Sequence, residues 1–279
     1  MNRERVAEDV YVFTSEIYAR VNAGAIVGPE WAVVIDTLAY PEESLEIKEF
    51  IEEKLETPVR YLINTHHHAD HSLGTCWFPD AIVISHELCR DLLDGKGRDA
   101  LEIAKQNNRE FADIDIVLPN VTFKEGEIEI RIGKRTLRLM HLPGHSVDGI
   151  GVLVVEERAL FSGDVMMPIP YLLDGDMDVM AETMKALTQL KLENLIQGHG
   201  EVILRGEVAH MVKDNLNYLS DVVKHAKKAL RRREPEEYLA SIDVESCGKN
   251  RILLNGLAEE LHRRNLLSLY QKYREESTN

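Results

Sequence analysis

Seven consecutive residues, Thr65-His66-His67-His68-Ala69-Asp70-His71, hold four histidines and one aspartate. They follow Val59-Arg60-Tyr61-Leu62-Ile63-Asn64, an apolar run that reads as a strand. Core packing has no use for imidazoles at a strand end. Neutral imidazole together with carboxylate is the usual donor set for zinc and similar divalent ions. In α/β layers such sites sit at the C-terminal ends of strands. The tract therefore demands a fold in which other strand-end loops bring further donors against it.

Three downstream loops meet the demand: Leu142-Pro143-Gly144-His145-Ser146, Phe161-Ser162-Gly163-Asp164 and Gln197-Gly198-His199-Gly200. In each, the donor directly follows a glycine, which lets the backbone turn tightly enough to aim a side chain back over the strand ends. His66 and His68 are two residues apart and share one side of an extended segment. Asp70 and His71 fall where the loop turns toward a helix, so they reach a second point. The seven donors His66, His68, Asp70, His71, His145, Asp164 and His199 are too many for one tetrahedral zinc. They suit two divalent metal ions that share a bridging carboxylate and a bridging water. Zinc is the first expectation, and Fe, Mn and Co accept the same donors. His67 and His141, beside donors, are expected to point away; His86 is expected to cap or pack at a helix start. Cys76 lies off the donor pattern, and Trp77 and Phe78 are expected to pack under the loop.

The order His-x-His-x-Asp-His, Gly-His, Gly-Asp, Gly-His resembles the metallo-β-lactamase-fold superfamily, over Val10 to about Glu201. The flanking words Val34-Ile35-Asp36-Thr37, Ile63-Asn64-Thr65-His66 and Pro143-Gly144-His145 are similar too. The resemblance implies an α+β fold, a four-layer αβ/βα sandwich with the site at one edge of two sheets. It implies that His66, His68 and His145 hold the first metal, that Asp70, His71 and His199 hold the second, and that Asp164 bridges them. Asp164 stands where many true β-lactamases have Cys or Ser, so the glyoxalase II, lactonase and quinoprotein-relay-like branches are the more similar ones. His68 stands where flavodiiron proteins carry Glu. The Gly-Cys-Gly-Arg stretch usual in glyoxalase II after the bridging aspartate is replaced by Val165-Met166-Met167-Pro168-Ile169-Pro170.

The implied activity is dinuclear, metal-dependent hydrolysis, in which a hydroxide held between the metals attacks an ester-like bond: a lactone, thioester, β-lactam or phosphoester. Asp70 would orient the hydroxide and take its proton. Met166, Met167 and Tyr171 follow the bridging position and are expected beside the substrate, Tyr171 chiefly by packing. Two other activities share the motif, a mononuclear iron oxygenase of the persulfide dioxygenase type and a nuclease.

Charge bears on that choice. Lys plus Arg number 33 and Asp plus Glu 48, a formal charge of −15. So acidic a surface repels nucleic acid and anionic lipid, which favours a small-molecule substrate over a nucleic-acid or membrane partner. The dense basic segment 224–233 sits in a helical pattern and is expected to be a solvated face. There is no apolar run of membrane-spanning length and no signal-peptide pattern, and the three cysteines are scattered. These features predict a cytoplasmic protein.

Strands are predicted over 10–13, 23–28, 31–36, 59–63 and 81–84, with period-two antiparallel segments over 116–142 and a last short strand over 194–197. Helices are predicted over 41–56, 86–93, 98–112 and 176–190. From 206 the β signal is lost, and helical patterns cover 207–233, 236–242 and 251–274. The chain is thus divided into a catalytic core over 1–205 and a helical extension over 206–279 packed on it. The stripe Leu253, Leu257, Leu261 and Leu267 would let that extension cover the pocket or form a homodimer.

Overall fold

The computed structural model describes residues 1–278. The first sheet runs in chain order through seven strands: β1 (Asn2–Ala7), β2 (Val10–Thr14), β3 (Asn22–Val27), β4 (Ala32–Ile35), β5 (Val59–Ile63), β6 (Ile82–His86) and β7 (Val121–Phe123). It is antiparallel from β1 to β4 and parallel from β4 to β7. The second sheet holds β8 (Glu127–Ile132), β9 (Arg135–His141), β10 (Ile150–Val154), β11 (Ala159–Phe161), β12 (Asn194–Ile196) and β13 (Ile203–Leu204), ordered β13-β12-β11-β10-β9-β8. Only its β11–β12 pair is parallel. Every residue of the central strand β4 is buried, as expected for a strand covered on both faces. The edge strand β8 alternates, with Glu127, Glu129 and Arg131 outward.

The two sheets face each other through Val12, Ile35 and Ile63 on one side and Leu139, Val152 and Phe161 on the other. Helix α1 (Pro41–Glu49) packs Ile47 on the outer face of the first sheet, against Val34 and Leu62. Proline at its first turn and the acidic Glu42 and Glu43 set its start. Four further helices precede the extension or lead into it: α2 (Ala69–Ser72), α3 (Glu87–Leu92), α4 (Arg98–Asn107) and α5 (Met177–Leu187). The chain ends in α6 (Val208–Ala229), α7 (Pro235–Ala240) and α8 (Ala258–Thr278). Helices α5, α6 and α8 cover the outer face of the second sheet in one cluster that joins Leu160 and Leu195 to Met184, Tyr218 and Leu266. The layers are therefore helix, sheet, sheet, helix.

Several elements differ from their sequence expectation. Strand β1 is polar (Asn-Arg-Glu-Arg) and shows no apolar alternation, because it is an edge strand with its side chains largely in water. Strand β7 joins the first sheet, parallel to β6, rather than the antiparallel run that follows it. Helices α3 and α4 are linked by a wide π turn over Leu93–Gly97, so 87–107 is one nearly continuous helical arm. Helix α8 starts only at Ala258, since Leu254 and Asn255 adopt left-handed backbone (φ 56° and 57°).

In the stripe on the last helices, Leu253, Leu257 and Leu261 pack against the core, and Leu267 is 42% exposed. The basic segment lays its cations on aromatic faces, Lys227 over Tyr273 (4.9 Å) and Arg232 over Tyr238 (4.9 Å). No helix among the described residues is long and apolar enough to cross a membrane.

One buried cation stands out. Lys249 is 8% exposed and donates to Asn215 Oδ1 at 2.7 Å. Burial pushes its ammonium down to about 8, against the pull of Asp214. The unfolded chain keeps that proton up to about pH 10.5, so between pH 8 and 10.5 it binds more protons than the folded chain. Stability contributed at this site must therefore rise with pH across that window. Relative to Lys249→Met, the wild type should gain about 3 kcal/mol from pH 8 to pH 10.5. Denaturant midpoints of both proteins at the two ends measure this, and a difference that stays constant would refute it.

Candidate metal centre

The four donor loops leave the sheets at the C-terminal ends of β5, β9, β11 and β12. After β5 the chain bends over Thr65, His66 and His67, is extended at His68 (φ −63°, ψ 147°), and enters α2, which carries Asp70 and His71. The structure brings donor atoms of His66, His68, His145 and Asp164 within 4.8 Å of one another, and those of Asp70, His71 and His199 likewise. Asp164 reaches both groups. Its Oδ2 lies 3.4 Å from His145 Nε2, 3.9 Å from His66 Nε2 and 3.2 Å from His199 Nε2, and its Oδ1 lies 3.2 Å from His71 Nε2. His68 Nδ1 is 2.9 Å from His145 Nε2, and Asp70 Oδ2 is 3.5 Å from His199 Nε2.

Each of the five histidines is held from outside by its other nitrogen. His145 Nδ1–H donates to the Tyr171 carbonyl (3.0 Å), and His199 Nδ1–H to that of Ala19 (3.0 Å). His71 Nδ1–H donates to Asp36 Oδ2 at 2.9 Å. The Thr65 hydroxyl gives its proton to Asp36 Oδ2 (2.7 Å), so it accepts from His66 Nδ1–H at 3.0 Å. His68 Nε2 meets Asp174 Oδ2 at 3.3 Å. The inward nitrogens are left to converge, and three buried atoms, His66 Nε2, His71 Nε2 and Asp164 Oδ1, make no hydrogen bond. Buried polar atoms cost about 1–3 kcal/mol each when left unpaired, and the 3.2 Å contact between His71 Nε2 and Asp164 Oδ1 offsets only part of that cost. Outward-anchored imidazoles around a carboxylate are the pattern in which ligated divalent ions are held, and the donors fit such ions.

The electrostatics divide the site. Burial and then the charge of His71 and His68 hold His66 well below the usual imidazole range. Burial takes His145 down to about 4, against Asp164. For His71 and His199 burial works in the same direction, but Asp164, Asp70 and, at His71, Asp36 outweigh it and raise both. Burial would raise Asp164, yet His199, His71 and His145 hold it well below the usual carboxylate range.

Two glycines are required by close approach. A Cβ on Gly198 would fall 1.7 Å from Asp164 Oδ1, and one on Gly144 (φ 138°) would fall 2.3 Å from Met180 Cα.

His67 turns from the donors to the buried Asp148, which accepts from its amide (2.8 Å) and its Nδ1 (3.1 Å). His141 Nε2–H donates to the Val147 carbonyl (2.9 Å) and the ring stacks on His86 at 4.4 Å, and His86 Nδ1 accepts from Leu88 N at the start of α3. The ring nitrogen facing a carbonyl must be protonated, so His141 Nε2 is the donor. The Cys76 thiol donates to the Leu73 carbonyl. Phe78 is buried against the first sheet's outer face. The expectation that Met166 and Met167 line the pocket is corrected: they are 0% and 2% exposed, in the core under α6, because the short 3-10 turn at Gly163–Val165 directs the following chain inward. Tyr171 is half-buried and contributes its carbonyl to His145.

Residues that sequence reasoning missed hold this geometry. Asp36 (φ 55°) accepts from Thr65 N as well as from Thr65 Oγ1 and His71. Asn265 on α8 donates to Pro170 O (2.6 Å) and accepts from Leu172 N (2.9 Å), clamping both sides of Tyr171. Asn22 donates to Gln197 O and Gly200 O, both 2.8 Å, and so fixes the His199 loop. Tyr18, 43% exposed, lies near Asp70, and its partial burial and then that carboxylate raise its phenol above the usual range. Beside His68 opens a cavity of about 250 Å³, walled by His68, Ala69, Leu73, Leu93, Ala100 and Ile116. Lys96 and Asp174, 3.0 Å apart, also border it.

A family model described as the metallo-beta-lactamase superfamily matches residues 19–206. The chain is similar to the acyl-coenzyme A thioesterase MBLAC2 of Homo sapiens, 29% identical over 167 residues, covering 53% of this chain and 58% of that protein. It is similar to an atrochrysone carboxyl ACP thioesterase of Claviceps purpurea, 26% identical over 171 residues, covering 61% and 48%. The chain spans about half the length of the curated relatives it matches. A metallo-beta-lactamase family protein from Thermus thermophilus has the same fold, with a TM-score of 0.71 at 15% identity over 96% of this chain and 94% of that one.

Proposed function

The chain belongs to the metallo-beta-lactamase superfamily, and from that premise we propose that it is a metal-dependent hydrolase of thioesters, using two divalent ions, zinc first among them. The observation that carries this reading is the convergence of His66 Nε2, His71 Nε2 and Asp164 Oδ1, buried and without hydrogen bonds, between two donor groups. His66, His68 and His145 would hold one ion, Asp70, His71 and His199 the other, with Asp164 touching both. Bound there, the ions supply a water of lowered pKa and polarise the substrate oxygen. The choice of a thioester is supported by the names of the relatives, two of which are thioesterases.

The site opens on one side. The Asp70 and His68 side chains are 18% and 20% exposed, whereas the other five donors are at 6% or less. Substrate reaches the site over Asp70 and His68. The Asp70 carboxylate is placed to take the proton of the attacking water as its oxygen bonds to the acyl carbon. The C–S bond then breaks, and the thiolate, a good leaving group near neutral pH, takes the proton back as it departs. The products are a carboxylic acid and a thiol.

The test combines elemental analysis with a substrate panel. The purified protein should carry about two divalent ions per chain. Chelation should abolish turnover and zinc should restore it. Acyl-coenzyme A thioesters should exceed lactones, β-lactams and phosphodiesters by about tenfold or more in kcat/KM. Dominant phosphodiester cleavage would replace this reading with a nuclease, and oxygen uptake with a persulfide and one iron per chain would replace it with an oxygenase.

A further inference from the structure

We infer that the cavity beside His68 is the binding site for an unbranched aliphatic acyl chain of the substrate, an assignment that rests on the thioester reading above. Three features lead to it. First, the cavity and the donor cluster share a wall. His68 presents Nδ1 to His145, 2.9 Å away, and Nε2 to Asp174 on the cavity side, while Ala69 in the cavity wall directly precedes Asp70. A chain attached to a carbonyl seated over Asp70 has one apolar recess within its first few carbons. Second, the recess is lined mainly by hydrocarbon from Ala69, Leu73, Leu93, Ala100 and Ile116, with Ser72 and His67 also on its wall. Such a surface gives water few partners, whereas a methylene chain loses nothing there. Third, the polar groups of the wall and border are already engaged: Lys96 Nζ donates to Asp174 Oδ1 at 3.0 Å, Asp174 meets His68, Ser72 Oγ donates to the His68 carbonyl at 2.9 Å, and His67 Nδ1 faces Asp148.

The last point decides which half of a thioester enters. The thiol half of an acyl carrier bears amides, and amides placed against this lining would lose their hydrogen bonds to water without replacement. The acyl half has no such groups beyond its carbonyl. A volume of about 250 Å³ sits just below the usual range for ligand pockets. It therefore suits a chain of medium length better than acetyl, which leaves it empty. The outer wall is the helical arm 87–107, through Leu93 and Ala100. Chain-length preference is thus written into that arm and not into the metal ligands.

Ala100 is exposed on α4 as well as bordering the cavity, so Ala100→Phe fills the recess without entering the core. Each methylene bound is worth about fourfold in affinity. The wild type should prefer octanoyl- over acetyl-coenzyme A, and Ala100→Phe should cut that ratio of kcat/KM by about 30-fold. Ile116→Ala, which enlarges the recess, should move the preference toward longer chains. Calorimetry supplies a reading free of turnover: the zinc-loaded protein should bind octanoate more tightly than acetate, and Ala100→Phe should erase the difference. Equal binding of the two carboxylates, or preferences untouched by both variants, overturns the assignment. Failure of every thioester while octanoate remains preferred would remove the thioester reading and support the cavity. Thioester turnover with a flat chain-length profile would support that reading and overturn the cavity.

Discussion

Asp70→Asn should lower kcat on the preferred thioester by about 10³-fold, the range of a lost general base. Of the seven donors, Asp70 joins carboxylate chemistry to exposure at the mouth of the site. Its Oδ2 lies 3.5 Å from His199 Nε2 and 3.9 Å from His71 Nε2, so it stands over one donor group with a free face toward solvent. Asparagine keeps the volume and one oxygen donor but cannot accept a proton. The loss should therefore fall on kcat, with KM nearly unchanged, because the interaction is used only as the water is activated. Elemental analysis of the variant separates this from simple metal loss. A fully loaded Asp70→Asn enzyme with wild-type kcat would show that the proton goes elsewhere.

Asp36→Ala should be the most damaging single change to the scaffold. This buried carboxylate accepts from Thr65 N (2.7 Å), Thr65 Oγ1 (2.7 Å) and His71 Nδ1 (2.9 Å). Removing it strands those donors, at about 1–3 kcal/mol each, so the metal-free protein should lose about 3–5 kcal/mol. It also frees the His71 ring and, through Thr65, loosens the support of His66. Metal affinity should fall by about 10- to 100-fold, the usual consequence of removing such an outer partner. Asp36→Asn should recover part of the stability, since asparagine tolerates the left-handed backbone at φ 55° and keeps one acceptor. Denaturant midpoints without metal and chelator competition for zinc measure the two effects. Wild-type values in Asp36→Ala would mean that His71 is held by something other than this carboxylate.

The donors could be read from the sequence because each has a local signature. Gly144-His145, Gly163-Asp164 and Gly198-His199 each join a strand end to a turn, and the His66 to His71 tract is too dense in imidazole for packing. The residues that hold the donor loops in place lack such a signature. Asp148 reaches His67 across 81 positions and Asn265 reaches Leu172 across 93, so their partners exist only in the folded chain. Asp36 ends an apolar strand like many turn residues, and nothing local marks its three bonds. Met166 and Met167 show the converse problem. An apolar pair next to a site is equally compatible with a pocket wall and with the core, and only the direction of the turn after Asp164 decides between them. Strand β1 was hidden for a related reason: its polar residues pair at an edge, where no buried face imposes alternation.

Asn265 also sets an order of events in biosynthesis. Domains assemble as they leave the ribosome, N-terminal parts first. The histidine tract at 66–71 is made long before α8, at a stage when the Pro170 carbonyl and Leu172 amide still wait for their partner. Until that helix docks, the Tyr171 carbonyl that aims His145 is unsupported. The direction in which His145 points is thus the last part of the site to be fixed, and it is fixed by a helix almost two hundred residues downstream of the histidine tract.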